Sequence, residues 1–321
     1  MFGSCERSAG RYGRGMTWTL TDIRTFLAVL DAGSISGAAV RADLSKSVVS
    51  KRISEFEATL GVPLFTRHAG RITPTDSAWA LADRLRPALA ELVAATENIG
   101  GAETPLRGRL AIAAPMSFGI RHLGPIIADF ASAHPALEIV LDYDDRNTDL
   151  GRAGYDVALR IGQLRDSSLM ARRLCQDPRT LVASPEYLAR HGDIRHPDDL
   201  GGHDCIGYLN VRLSDIWPYG ADTQAPAQGR ITANNGEAMR DMALGGIGLA
   251  LLPLFIVDDA IRDGRLVQLL PDLPQELLPI SVVWPPAKPM PRKTRLFVDH
   301  MVQAFNEVPG WQRGIALPPA T

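Results

Sequence analysis

Between Thr19 and Leu60, apolar positions recur every three or four residues in three short blocks, each opened by a hydroxyl side chain, and the pattern predicts three consecutive helices. Thr19 with Asp22 is a capping pair for the first, whose apolar face is Ile23, Phe26, Leu27 and Leu30 and which stops at Gly33. Ser34 or Ser36 can cap the second, where Ala38, Ala39 and Ala42 are small enough for another helix to approach before a break at Asp43 and Leu44. Ser45 opens the third, with Val48, Val49, Ile53, Phe56 and Leu60 on its buried face and Gly61 and Pro63 ending it. Two short β-rich runs, Val62–Phe65 and Arg71–Thr73, flank His68-Ala69-Gly70 and predict a hairpin.

From Thr75 to Ile99 the residues Ala78, Leu81, Leu85, Ala88, Leu92, Ala95 and Ile99 form a heptad seam, which predicts a long helix pairing with a second copy, the alternative for a seam with weak Ala positions being a single amphipathic helix packed on its own domain. Pro87 removes a backbone donor inside it, so a kink near Asp83 is expected, and residues 100–105 read as a hinge. Beyond Leu106, strands alternate with helices. Strands are expected at Gly108–Ala114, Leu137–Tyr143, Tyr155–Ile161, Thr180–Ala183, Cys205–Leu209, Arg230–Ala233, Gly248–Pro253 and Ile280–Trp284. Helices are expected at His122–His134, Pro185–His191, Gly236–Gly245 and Lys293–Val308. This alternation predicts a mainly parallel sheet in two α/β lobes, with a ligand cleft at the carboxyl ends of the strands.

The expected organisation is a tail at 1–15, a winged helix-turn-helix at 16–74, a linker helix and hinge at 75–106, an α/β domain at 107–308 and a second tail at 309–321. Within the α/β domain, lobe I takes 107–179 and 285–308, and lobe II takes 180–284. Residues 1–15 lack periodicity and precede Met16, so either Met1 or Met16 can be the start.

Composition narrows the chemistry. The chain has 321 residues, 45% of them hydrophobic and 22% charged, enough for a substantial core. Its formal net charge of -2 means that any nucleic-acid site must be a local basic cluster. Such a cluster exists between Arg41 and Arg71, and Lys46, Ser47, Ser50, Lys51 and Ser54 lie off the apolar stripe of the third helix, with Arg52 beside it. Ser and Lys at a helix N-terminus are suited to base edges and phosphates in a major groove, and Arg67 and Arg71 of the hairpin would flank the backbone. Cys5, Cys175 and Cys205 are widely spaced, no apolar run spans a bilayer, and no signal peptide precedes the fold, so a reducing, cytoplasmic setting is expected.

The stretch TDIRTFLAVLDAGSISGAAVRADLSKSVVSKRISEFEATLGVPLFTRHAGRITPT resembles the helix-turn-helix of the LysR-type transcriptional regulators, including its Ser-x-Ser-x-x-Ser start and Leu-Gly-Val-x-Leu-Phe-x-Arg exit. Lys46 departs from the pattern, standing where many relatives carry Gln. Downstream, LRGRLAIAAPMSFG, LRIGQLRDSSLMARRL, LVASPEYLARHG and GGIGLALLP are similar to that family's effector-binding domain, which shares the fold of periplasmic binding proteins. The resemblance implies a bacterial regulator whose cleft is lined by Met116, Ser117 and Phe118 after the first strand, Arg160 and Gly162 after another, and Asn234, Asn235 and Gly236 before a helix. It also implies a homodimer or tetramer on an imperfectly palindromic operator, with RNA polymerase as a further partner if the protein activates.

Ser117 and the amides near Asn235 and Gly236 have the chemistry to hold an anionic effector. Arg160 can pair with such a ligand's carboxylate or with Asp156. Gly245-Gly246-Ile247-Gly248 follows a helix, so a tight turn is expected rather than a phosphate loop. Asp142, Asp144 and Asp145 read as a solvated edge, and Cys175 and Cys205 as ordinary thiols. No catalytic signature, metal spacing or cofactor motif emerges, so no enzymatic activity is expected. The competing readings are a ligand-binding protein or enzyme with an N-terminal assembly domain, and a non-specific architectural DNA binder.

Overall fold

The computed structural model describes residues 18–68, 71–97, 104–145, 150, 154–164, 168–209, 216–219, 223–226, 229–273 and 276–315. The chain divides into two compact units, the first running to Leu89 and the second starting at Ala90, so the boundary falls inside the linker helix.

In the first unit, α1 (Leu20–Ala32), α2 (Ile35–Arg41) and α3 (Lys46–Leu60) form as their caps dictate. The Thr19 side chain accepts from Asp22 N while Asp22 reaches back to Thr19 N, Ser34 caps α2, and Ser45 caps α3 by accepting from Val48 N. Gly33 and Gly61 end α1 and α3 in the left-handed region, at φ 60° and 69°, where a Cβ would be strained. Phe26, Val29, Val49, Ile53 and Phe56 form the core, but Val48 is 37% exposed rather than buried. Successive helical residues lie about 100° apart, and the side carrying Val49, Ile53 and Phe56 is the one that faces the core. Ala42 likewise points outward, as the residue that closes α2.

The wing pairs β1 (Phe65–His68) with β2 (Arg71–Pro74), antiparallel, with Arg67 opposite Ile72. It starts at Phe65 and not Val62, because Pro63 has no N–H and the N–H groups of Leu64 and Phe65 donate to Glu57 Oε1 at 2.7 and 2.9 Å. Glu57 thereby ties the end of α3 to the wing. Glu57→Ala orphans both donors and is expected to cost about 1–3 kcal/mol in urea unfolding, whereas a wild-type midpoint would show the tie to be inert.

Helix α4 (Asp76–Glu97) is capped by Thr75 and runs unbroken through Pro87. Ala78 and Ala82 are buried and Leu81, Leu85 and Leu89 pack against the first unit's core, so the early seam positions serve their own unit. Leu92 is 52% exposed, and Ala88 and Ala95 are exposed with it. An ion pair joins Arg86 to Asp31 of α1. Ile99 and most of the expected hinge lie outside the described residues.

The second unit is built on β3 (Gly108–Ala114), β4 (Leu137–Tyr143), β5 (Val157–Ile161), β6 (Met170–Ala183), β7 (Cys205–Tyr208), a separate hairpin of β8 (Ile216–Tyr219) with β9 (Thr223–Pro226), β10 (Ile231–Ala233), β11 (Leu249–Pro253), β12 (Val267–Leu269) and β13 (Leu277–Trp284). The sheet order is β10-β7-β11-β6-β13-β5-β3-β4, with β12 also on β6. Strand β6 passes through both lobes: Met170 to Pro178 pair with β13, and Arg179 to Ala183 with β11 and β12.

Expectations for this unit change in several places. Strand β6 begins ten residues before the expected Thr180, because its first half is polar and carries Asp177-Pro178, which reads as a turn. Strand β13 pairs with β5 and the first half of β6, so 277–284 belongs to lobe I and not lobe II. A helix absent from the sequence reading, Leu254–Arg262, follows β11, hidden because Ile247 to Val257 is apolar without period.

The helices of this unit are α5 (Met116–Phe118), continued by a π-turn at Gly119–Leu123 and by α6 (Gly124–Ala133), then α7 (Pro185–His191), α8 (Gly236–Leu244), α9 (Leu254–Arg262) and α10 (Arg292–Ala304). Helical structure thus starts at Met116, six residues before the expected His122, and α10 ends at Ala304 rather than Val308. Among the described residues no helix is long and apolar enough to cross a membrane.

Candidate nucleic-acid interface and ligand cleft

The outward face of α3 gathers the predicted contact residues. Lys46, Ser47 and Lys51 are exposed on it, and Ser50 and Arg52 are half-buried. Ser45 Oγ and Ser47 Oγ lie 2.9 Å apart at the helix start. The Lys51 ammonium is 3.7 Å from Glu55, but with both side chains largely exposed the pair is worth about 0.3–0.5 kcal/mol and leaves Lys51 available. Arg67 on the wing donates to Ser50 Oγ at 3.4 Å, so wing and helix share one surface. Arg71 sits opposite His68 in the register; its side chain lies outside the described residues. Exposed Val48 adds a methyl-bearing residue to this face, which the sequence reading placed in the core.

In the second unit, β3 and β5 are parallel neighbours, so the turn at Pro115 and the residues Arg160 and Gly162 lie at the same edge of the sheet. Met116 is exposed, Ser117 is 4% exposed, and Phe118 is wholly buried, its ring edge-on to those of Phe255 and Trp311. Phe118 thus supports the turn from beneath. Asp156 pairs with Lys293 at 2.9 Å and accepts from Ala111 N.

Asn235, after Asn234 at the end of β10, caps α8 by accepting from Glu237 N and Ala238 N. Gly236 is pressed close: a Cβ there would meet Ile256 Cδ1 at 2.5 Å and Ser117 Oγ at 3.6 Å. The two lobes therefore bring Ser117 and Gly236 together. Asp145 is no solvated edge, since it accepts from Met116 N at 2.8 Å and from Asn235 Nδ2 at 2.9 Å. Gly246 adopts φ 67° between α8 and β11, as a tight turn requires.

Beneath the lobe crossing, Asp177 is fully buried and accepts from the Trp311 indole at 2.7 Å and from Phe255 N. Burial pushes its carboxyl up to about 7 although these N–H groups pull the other way. His122 lies 4.2 Å from the Trp311 ring, and burial holds it below its ordinary value. Burial pushes the Cys175 thiol up to about 12, so it is not a reactive thiolate at neutral pH. Among the described residues no group of His, Cys, Asp or Glu is arranged to hold a metal. Arg121, which forks onto Glu237 at 2.7 and 2.9 Å, and Asp177 escaped sequence reading, and Asp145 was assigned to solvent, because each finds its partner far along the chain.

Residues 20–79 match the family of bacterial regulatory helix-turn-helix proteins of the lysR type, and residues 103–306 match the LysR substrate binding domain. The chain is 35% identical over 297 residues to the HTH-type transcriptional regulator PtxR of Pseudomonas aeruginosa, covering 90% of this chain and 94% of that one. It is 31% identical over 290 residues to the regulator CrgA of Neisseria meningitidis, covering 89% and 96%. Among solved structures, the full-length Vibrio cholerae virulence activator AphB aligns with a TM-score of 0.59 at 28% identity, over 90% of this chain and 100% of that one. CrgA aligns with the same score and identity over 91% and 100%. A helix-turn-helix with its wing, followed by a two-lobed α/β domain that matches along its length, makes this chain a member of the LysR family of transcriptional regulators.

Proposed function

We propose that the chain reads an imperfectly palindromic operator as a homodimer or dimer of dimers, laying α3 of two copies in successive major grooves. Lys46, Ser47, Ser50, Lys51 and Arg52 contact bases and phosphates, Val48 offers its methyls to thymine, and Arg67 and Arg71 hold the flanking backbone. The observation that carries this is the shared surface of α3 and the wing, joined through Arg67 and Ser50. The protein works in the cytoplasm, with RNA polymerase as partner where it activates, and no catalytic step is part of its action.

Its effector is a small molecule with an anionic group, held between Met116, Ser117, Arg160 and Gly162 of one lobe and Asn234, Asn235 and Gly236 of the other, over Phe118. Binding shifts the lobe arrangement only by the ligand's differential affinity for the two states.

The test is selection from a genomic fragment library near physiological salt. Sites sharing a two-fold motif are expected, with Lys51→Ala lowering the slope of log affinity against log salt by about 1 and Ser50→Ala costing about 1 kcal/mol of base discrimination. Enrichment indifferent to both substitutions would remove α3 as the reading element.

A further inference from the structure

The first turn of α8 in the second lobe is gripped from two sides by the first lobe. On one side Asp145, just beyond β4, places one carboxylate oxygen on Met116 N at 2.8 Å and the other on Asn235 Nδ2 at 2.9 Å. The amide oxygen of Asn235 is committed to Glu237 N and Ala238 N, so its NH2 group is fixed toward Asp145. No side chain of the flanking residue Pro115 caps Met116, and the carboxylate from 29 residues away does so instead.

On the other side Arg121 forms a two-bond fork with Glu237, Nε to Oε1 at 2.7 Å and Nη2 to Oε2 at 2.9 Å, and reaches Asp259 on α9 at 3.3 Å. Asp259 is itself held by Arg240 at 2.5 Å and Arg265 at 3.2 Å. The two grips are unequal. A bidentate, mostly buried ion pair inside a network is hard to part, whereas Asp145 makes one bond with each oxygen and remains partly exposed.

We infer that Asp145 is a built-in occupant of the effector's anionic seat, a latch that an acidic ligand displaces from Met116 and Asn235 while Arg121 and Glu237 remain as the pivot. This rests on the cleft being the effector site. In the resting protein Met116 N and Asn235 Nδ2 already hold a carboxylate, so a second anion cannot share the place and must exchange with it. Effector binding and release of one lobe contact then become a single event, which supplies the differential affinity a switch needs.

Thermal unfolding of the full-length protein in sodium formate, against sodium chloride at equal ionic strength, tests the latch. Formate is a bare carboxylate that fits the space Asp145 vacates. Asp145→Ala is expected to melt lower than wild type in chloride and to recover roughly 2–4 °C, saturably, in formate, while wild type does not respond. Should Asp145→Ala fail to fold, Asp145→Ser vacates the same seat and carries the same expectation. Equal formate responses in wild type and variant, whether both rise or neither does, overturn the latch. An effector that binds elsewhere is a separate outcome: the variant would still respond to formate, but the effector's affinity would be the same for wild type and variant.

Discussion

Phe26→Ala is expected to lower the stability of the DNA-binding unit by about 3–5 kcal/mol and to abolish operator binding, although Phe26 touches no surface. The ring is wholly buried on α1, with its centroid 5.8 Å from that of Phe56 on α3 and 5.8 Å from that of Phe65 on the wing. It is thus the common neighbour of α3 and the wing, the two elements proposed to face DNA. A unit of this size has a total stability on the order of 5–10 kcal/mol, so the loss takes a large share of it. Urea unfolding followed by fluorescence should show an early transition for the N-terminal unit and an unchanged one for the effector unit. Two wild-type midpoints would refute the assignment of this ring cluster as the core.

The effector unit should lose stability as pH rises from about 4 to about 7, by up to about 4 kcal/mol from Asp177 alone. The folded carboxyl is pushed up to about 7 by burial, whereas the unfolded chain has the ordinary value of 3.8. Between those values the folded state holds the extra proton, so stability is greatest below the window, falls across it, and is flat above it. Asp258, also raised by burial, adds in the same direction. His122, His134 and His203 are lowered by burial and act in the opposite sense below 6.5. The comparison that isolates Asp177 is Asp177→Asn, which keeps an acceptor for the Trp311 indole and should flatten the slope. An Asn variant with the wild-type pH dependence would show that Asp177 does not titrate in this range.

Local chemistry was legible in the sequence to the extent that it is local. Thr19, Ser34, Ser45, Gly33 and Gly61 set the helix ends from neighbours within a few residues, and the structure places those ends where their caps dictate. What failed to show was decided by contacts at long separation. The polar first half of β6 is a strand because β13 pairs with it, and α9 was hidden because its apolar first turn runs on without a break from the apolar residues of β11. Asp145 looked like one of three solvated acids, since nothing within its own stretch reveals Met116 or Asn235. Val48 illustrates the opposite error, in which an apolar residue is assigned inward although the helix presents it outward.

The strand shared by both lobes has a mechanical consequence. A joint made of loop swings freely, but β6 runs as one strand across the boundary, pairing with β13 up to Pro178 and with β11 from Arg179, so relative movement of the lobes must be absorbed as added or relieved twist. Movement of that kind is small, springy and reversible. It also makes the lobes inseparable in folding: each lacks a central strand without the other, so damage to one lobe is felt as loss of cooperativity in both.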